Sequence, residues 1–213
     1  IAELGAASFE LVRCNHCTML FHTRVLSPAG LTRLYGHWID AAQIERFESE
    51  RARGSPEEAS RFELARQTFK HLLRLHSLAG EPADFRVLDF GCGDGRALSL
   101  ATGLGFDAWG VDPSVTRESR SSRHSACVRR SISEVVEATG GGFHAVLLMQ
   151  VLEHVVSPRR VLEELEVVLR RDGVLLVEVP DARCIDGAPT SFDQFRTVQP
   201  LEHVNAFTPR TLT

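Results

Sequence analysis

The nine residues Val87-Leu88-Asp89-Phe90-Gly91-Cys92-Gly93-Asp94-Gly95 constrain this chain more than any other stretch. A short apolar run ends in three glycines spaced two apart, and a helical pattern starts at Arg96. Strand, tight turn and helix in that order open a doubly wound sheet, and the first such turn is where a nucleotide-like ligand binds. Glycines serve there because the backbone turns sharply and comes close to its ligand. The same rhythm continues downstream. Strands are expected at Val87–Phe90, Ala108–Val111, Cys127–Val128, Ala145–Met149 and Gly173–Val179. Helices are expected at Arg96–Thr102, Ser114–Arg123, Ser131–Ala138 and Pro158–Arg170. Such alternation implies an α/β, Rossmann-like, mostly parallel sheet covered on both faces.

Upstream the pattern differs. A long helix is expected from Pro56 to about Ala79, with Ser55 as N-cap, Pro56 in the first turn and Glu58 completing a capping box. Phe62, Ala65, Phe69, Leu72, Leu73 and Leu75 follow its spacing, and Gly80 stops it. Residues 1–54 read as a small N-terminal appendage and 55–213 as the main domain. A short strand over Phe9–Arg13 leads into Cys14-Asn15-His16-Cys17, with Met19-Leu20-Phe21 as its return. Ser27-Pro28-Ala29-Gly30 reads as a turn or the cap of a short helix to Leu34, and Thr208–Thr211 as the start of another.

With 213 residues the chain has room for one domain plus that appendage. Its net charge of -4 provides no basic field for nucleic acid. No apolar run approaches the roughly 18 residues a membrane span needs. Five cysteines, odd in number and scattered, make a poor disulfide framework and suit a reducing compartment, so a cytoplasmic location is expected.

The charges around the glycines discriminate between ligands. A pyrophosphate wants bare helix N–H groups and no nearby acid, yet Asp89 and Asp94 flank this turn. Dinucleotide folds also place a third small residue where Arg96 stands. S-adenosylmethionine (SAM) carries a sulfonium and an ammonium cation and no phosphate, so carboxylates suit it. The next strand ends at Trp109-Gly110-Val111-Asp112-Pro113, and an acid there can accept both ribose hydroxyls. An NAD(P)-dependent oxidoreductase and a non-catalytic SAM-binding protein remain the alternatives.

Beyond these local arguments, an ordered set of segments resembles the class I SAM-dependent methyltransferases: VLDFGCGDG (87–95), WGVDPS (109–114), FHAVLLMQVLEHV (143–155), LRRDGVLLVEVP (169–180) and EHVNAFTPRTL (202–212). The branch it looks most like is the small-molecule one with V-L-E-H-V after the fourth strand, as in ubiquinone-type O-methyltransferases and zinc-ribbon-bearing sugar methyltransferases. The resemblance implies SAM as cofactor and a small-molecule acceptor, first of all a hydroxyl. Asp89, Gly91, Gly93 and Gly95 would surround the methionine part of SAM, with Cys92 inside the loop. Asp112, followed by Pro113, would hold the ribose. Ser131 and Ile132 fall where adenine is usually met, and Gln150 and Val151 beside the methionyl and transfer positions. The antiparallel strand pair that usually closes this fold is not found before Thr213.

Methyl transfer to a hydroxyl needs alignment and a base, and histidine serves near neutral pH. Of nine histidines, two follow a glutamate: Glu153-His154 and Glu202-His203. The resemblance implies Glu202 and His203 as a catalytic pair, although Pro200 stands where the sugar enzymes carry a tyrosine. His203 reads as base, substrate ligand or structural group, and His154 as catalytic or as a residue that orders its loop.

Cys14-x-x-Cys17 looks like one knuckle of a zinc ribbon, and structural zinc wants four ligands. Three readings stay open: a partner knuckle precedes Ile1, the site is metal-free, or Cys14 and Cys17 bind metal with His16 or His22. No complete metal set is legible, so zinc is expected only if a second cysteine knuckle precedes Ile1. Arg117, Arg120, Arg123, Arg129 and Arg130 read as a solvated face, or as a seat for an anionic substrate. Phe192, Phe195 and Phe207 read as packing or a pocket wall, Gly140-Gly141-Gly142 as a loop, and Tyr35, Trp38 and Phe47 as parts of a lid.

Overall fold

The computed structural model describes residues 9–34, 56–113 and 127–212. These fall into two compact units, one drawn from 1–27, 150–161 and 178–213, the other from 28–149 and 162–177. Ser55, the lid residues Tyr35, Trp38 and Phe47, the helix expected at 114–123 and its arginines Arg117, Arg120 and Arg123 lie outside the described residues.

The larger unit holds the parallel sheet as far as Val177, and the helix before its last strand from Leu162 on. After α1 (Pro28–Arg33) and α2 (Pro56–Leu78) come a single 3-10 turn, β3 (Arg86–Phe90), α3 (Arg96–Gly103), β4 (Asp107–Val111), β5 (Val128–Arg129), α4 (Ile132–Thr139), β6 (Phe143–Met149), α5 (Pro158–Glu166) and β7 (Leu169–Glu178). The strand order is β5-β4-β3-β6-β7, and β3 runs parallel to both neighbours, with Leu88 opposite Trp109 on one side and Val146 on the other. The chain leaves β3 for one side of the sheet and later returns on the other, so β3 and β6 flank the switch point where α/β sheets bind ligands.

Strands buried on both faces explain why β6 reads as an unbroken apolar run. Phe143, Val146, Leu147 and Leu148 are all buried there, as are Val87 and Leu88 of β3. Each such side chain contributes about 1.5–3 kcal/mol relative to leaving it in water. Helix α2 adds Leu72 and Leu75 to this core, but Phe69 and Leu73 stay over a third exposed. The expected apolar stripe is therefore too broad at Phe69 and Leu73; among the described side chains the buried face is Thr68, Leu72 and Leu75, spaced four and three apart, while the side chain of Phe62 lies outside the described residues.

Several boundaries moved, among them β5, at Val128–Arg129 against the expected Cys127–Val128, and β7, which begins at Leu169 against the expected Gly173. Helix α5 stops at Glu166, short of the expected Arg170. The Val168 carbonyl already accepts from the Phe143 N–H at 2.8 Å, so the chain has turned into the sheet and Leu169 begins β7. Helix α4 starts at Ile132, because Ser131 is its N-cap, in extended conformation, with its hydroxyl accepting from the Glu134 N–H at 3.3 Å. Arg86 then ties the end of α4 to β3: its guanidinium donates to the carbonyls of Thr139 and Gly141 and pairs with Asp107.

The smaller unit carries an antiparallel sheet of order β1-β2-β8, from Leu11–Arg13, Leu20–His22 and Asn205–Ala206. The hairpin around Cys14–Cys17 is as expected, with Val12 opposite Phe21. Its third strand was not foreseen. Leu20, Ala182, Ile185, Val198 and Ala206 form this unit's own core. Short helices α6 (Phe192–Thr197) and α7 (Pro209–Leu212) complete it, the latter where the expected Thr208–Thr211 turn falls.

Candidate functional site

In the larger unit, the turn after β3 is built by backbone geometry. Gly91, Gly93 and Gly95 all adopt positive φ (78°, 53° and 76°), a region that favours glycine. The N–H groups of Gly91 and Cys92 donate to the Val111 carbonyl at 2.7 and 3.1 Å, which fixes the turn to the end of β4. The Gly93 N–H donates to an Asp112 carboxylate oxygen at 2.9 Å. Asp112 therefore shapes the loop as well as standing where ribose is expected. Cys92 is buried, and Gly110 makes room for it: a Cβ on Gly110 would lie 2.7 Å from the Cys92 sulfur and 2.7 Å from a Leu98 methyl.

Asp89 ends this arrangement on a charge problem. It is only 4% exposed. Burial first, then repulsion from Asp112 and Asp94, push its carboxyl up to about 7. An added anion would worsen that repulsion, while a cation placed there would relieve it. The group thus fits the cationic methionine end of SAM and does not fit a pyrophosphate. Pro113 follows Asp112 beyond β4, and Ser131 and Ile132 open α4 after β5. The Ser131 hydroxyl is already engaged as a helix cap.

The smaller unit holds a second cluster. Gln150 takes φ 58°, unusual for a residue with a side chain. Its N–H donates to the Glu178 carbonyl at 2.8 Å, and its amide lies 3.4 Å from the Glu178 carboxylate. Val151 is buried beside it. Leu201, just before Glu202, also has positive φ, at 76°. The two Glu-His pairs named from sequence come together here. His154 and His203 meet edge to face with ring centroids 4.6 Å apart. His154 Nδ1 lies 3.0 Å from the Glu202 carbonyl, and His203 Nδ1 lies 3.3 Å from the Thr197 carbonyl. A carbonyl only accepts, so both Nδ1 atoms carry hydrogen and Nε2 is the working atom of each ring. Burial, with Arg196 nearby, holds His203 below the usual imidazole range against the pull of the Thr197 hydrogen bond. Among the described residues, Glu153, His154 and His203 form the one trio of such groups whose donor atoms lie within 4.8 Å of one another, near enough to share a proton or a cation. The Glu202 carboxylate instead accepts from the Gln199 amide at 2.8 Å.

Sequence reasoning named Glu153 only as the residue before His154, with no role of its own, and missed Asn205. Glu153 is 1% exposed, and its only visible signal was its place in V-L-E-H-V. Asn205, two residues past His203, is buried and donates from its amide to the carbonyls of Leu152 and Val155, while its N–H donates to the Glu153 carbonyl. It thereby locks the His154 turn to the His203 segment.

The cysteine knuckle stands apart from this cluster. Cys14 and Cys17 are half-buried and exposed, and hydrogen bonds from the Cys17 and His16 backbone lower the Cys14 thiol. Among the described residues no third ligand joins them: His22 is buried with Nε2 2.8 Å from the Val198 carbonyl. Phe207 is buried and Phe195 half-exposed. Gly140 is the left-handed C-cap of α4, with its N–H on the Val136 carbonyl.

A family model described as "Methyltransferase domain" matches residues 59–213. Curated relatives include a ubiquinone biosynthesis O-methyltransferase of Xanthomonas axonopodis pv. citri, 30% identical over 46% of this chain and 44% of its own length. One from Parvibaculum lavamentivorans is 31% identical over 44% and 40%. The matched stretches thus span under half the length of these relatives. Among solved structures, a SAM-dependent methyltransferase of Thermotoga maritima, titled a possible histamine N-methyltransferase, is similar at 21% identity and TM-score 0.47, over 79% of this chain and 75% of that one. The magnesium protoporphyrin IX methyltransferase of Synechocystis PCC 6803 is similar at 15% identity and TM-score 0.49, over 62% and 65%. With the family match extending over most of the chain and falling on this glycine turn and sheet, the protein belongs to the class I SAM-dependent methyltransferases.

Proposed function

We propose that this protein transfers the methyl group of SAM to a hydroxyl of a small-molecule acceptor. The observation that carries the reading is Asp89: a buried carboxyl held up to about 7 among other acids at the glycine turn, which calls for a cation. The curated relatives named as O-methyltransferases support oxygen as the acceptor atom. When bound, SAM supplies an electrophilic methyl whose bond pair leaves on sulfur. The chain's task is then to hold the cation, exclude phosphate cofactors and remove the acceptor's proton. Asp89 and the turn 91–95 bind the methionine end, and Asp112 with Pro113 the ribose. Ser131 and Ile132 border the adenine, and Gln150 with Val151 the methionyl group. His203 takes the proton at Nε2, with His154 and Glu202 beside it. Residues 55–213 act as the methyltransferase domain and 1–54 as its appendage. A cytoplasmic location agrees with five free thiols and with no described helix long and apolar enough to cross a membrane.

The test has two stages. Thermal unfolding with SAM, S-adenosylhomocysteine, NAD and NADP comes first. A ligand at 100 times its dissociation constant adds about 2.7 kcal/mol, seen with the first two only. A shift with NAD or NADP alone sinks the reading. Phenolic and sugar acceptors are then screened for methyl transfer, and His203→Ala is expected to lower kcat by about 10²–10⁴.

A further inference from the structure

Glu153 has no part in the assignment above, yet it is among the most completely buried side chains of the protein. Neither carboxylate oxygen has a hydrogen-bond partner. Leaving a buried acid that way is costly unless something nearby compensates. The nearest candidate is His154, whose Nε2 lies 3.8 Å from a Glu153 oxygen. His203 offers a donor atom within 4.8 Å of both. Asn205 holds the backbone on either side of Glu153 through three hydrogen bonds, which fixes the point from which the Glu153 side chain enters the cluster.

We propose that Glu153 is a positioning residue: its buried carboxylate, paired with His154, is the counter-charge that lets His203 take and hold the acceptor's proton. The idea rests on the reading of His203 as base. In the step, the acceptor O–H bond breaks and its proton goes to the lone pair on His203 Nε2. The O–H bonding pair stays on oxygen and becomes the new C–O bond, and the former methyl bond pair leaves on sulfur. The imidazolium so formed sits within reach of the Glu153 carboxylate, and its proton passes to solvent after release of products. This is the role a buried acid plays behind the histidine of a hydrolase triad, reached here through space at the shared cluster.

The other charges facing this cluster set the balance. Burial first, and repulsion from Glu178 after it, raise the Glu153 carboxyl to about 7. Arg196 faces His203 and opposes its protonation. The Glu202 carboxylate accepts from the Gln199 amide, and the Glu202 carbonyl lies 3.0 Å from His154 Nδ1. Glu153, with a carboxylate oxygen within 4.8 Å of a ring nitrogen of each histidine, is the acid placed to favour a charged His203.

The test needs no acceptor. The side-chain nitrogens of His203 are titrated by NMR in the full chain, wild type and Glu153→Gln. An opposite charge at 4–6 Å raises an imidazole by about one unit or more. Loss of the carboxylate should lower the His203 midpoint by about that amount, and Glu153→Asp should restore it. A midpoint unchanged in Glu153→Gln overturns the proposal. If that variant does not fold, the Glu153 carboxyl carbon is titrated in the wild type. Two steps shared with the imidazoles support the proposal, and one step in the ordinary carboxylate range overturns it. A His203 spectrum changed by chelator also overturns it, since a bound cation would then compensate Glu153. Once an acceptor is found, Glu153→Gln should lower kcat about 10²-fold and leave the SAM dissociation constant within twofold. Full turnover by His203→Ala would strike the base reading itself, whereas loss there with no effect of Glu153→Gln would strike only this inference.

Discussion

Asp89 and Glu153 carry the same perturbation for different reasons. Both are nearly inaccessible acids, and both carboxyls are raised to about 7. Around Asp89 the neighbours are Asp112, Asp94 and a turn of glycine amides, so the site is short of positive charge. Around Glu153 the neighbours are two imidazoles, each anchored through Nδ1, so the site can supply its own positive charge by taking up a proton. One acid waits for a cation from outside; the other faces a pair that can make one. Burial alone therefore does not assign a role to a carboxyl; the charge state available to its neighbours does.

The largest effect that sharpens this contrast is expected from Asp89→Asn. SAM affinity at pH 8 should fall at least about 100-fold by calorimetry, roughly the 3 kcal/mol that a buried charge pair can supply. The same variant should be more stable than wild type without ligand. An acid raised in the folded state contributes stability below its unfolded value and loses it as pH rises through its folded value of about 7. Asparagine escapes that loss, so its advantage should grow between pH 4 and 7 and level off above, reaching a few kcal/mol. If the variant keeps full affinity, Asp89 is no cation seat and the contrast collapses.

A second expectation concerns wild-type affinity against pH. Below pH 7 SAM must displace the Asp89 proton, so its association constant should fall by up to about tenfold for each unit of acidification and flatten above pH 7. A flat profile from pH 5 to 8 would break the comparison from the other side. Smaller is Gly110→Ala, whose added methyl meets Cys92 and Leu98 at 2.7 Å. Overpacking of this kind costs about 1–3 kcal/mol, read as a lowered Tm. Adding Cys92→Ala should recover part of it, and strictly additive effects would mean that the two side chains do not meet. The smallest is Ser131→Ala, expected to cost about 1 kcal/mol through loss of the α4 cap. If SAM affinity falls as well, Ser131 serves the cofactor besides the helix.

These two regions were not equally legible in the sequence. The glycine turn could be read because its chemistry is local: three glycines, an apolar run before them and acids at fixed offsets state both the backbone path and the charge of the ligand. The sheet followed for the same reason, since strands buried on both faces leave unbroken apolar runs. The helix α2 stripe was read too broadly, because Phe69 and Leu73 are apolar without being covered. Glu153 and Asn205 were passed over because their meaning is tertiary. A glutamate beside a histidine looks the same in a string whether it faces water or is sealed in. Strand β8 was missed because two residues leave no period to detect. The histidines themselves were found, but only the fold could show that segments some fifty residues apart in sequence bring their rings to 4.6 Å.

The close fit between Gly110 and Cys92 gives the protein a built-in chemical reporter. Of its five thiols, Cys17 and Cys184 stand exposed and Cys14 and Cys127 half-covered, while the Cys92 sulfur is sealed inside the glycine turn itself. An alkylating reagent should consume the others first and reach Cys92 only when the turn opens. Its modification rate, followed by mass spectrometry, is then a clock for the breathing of the loop that grips the methyl donor, and a bound donor should stop that clock.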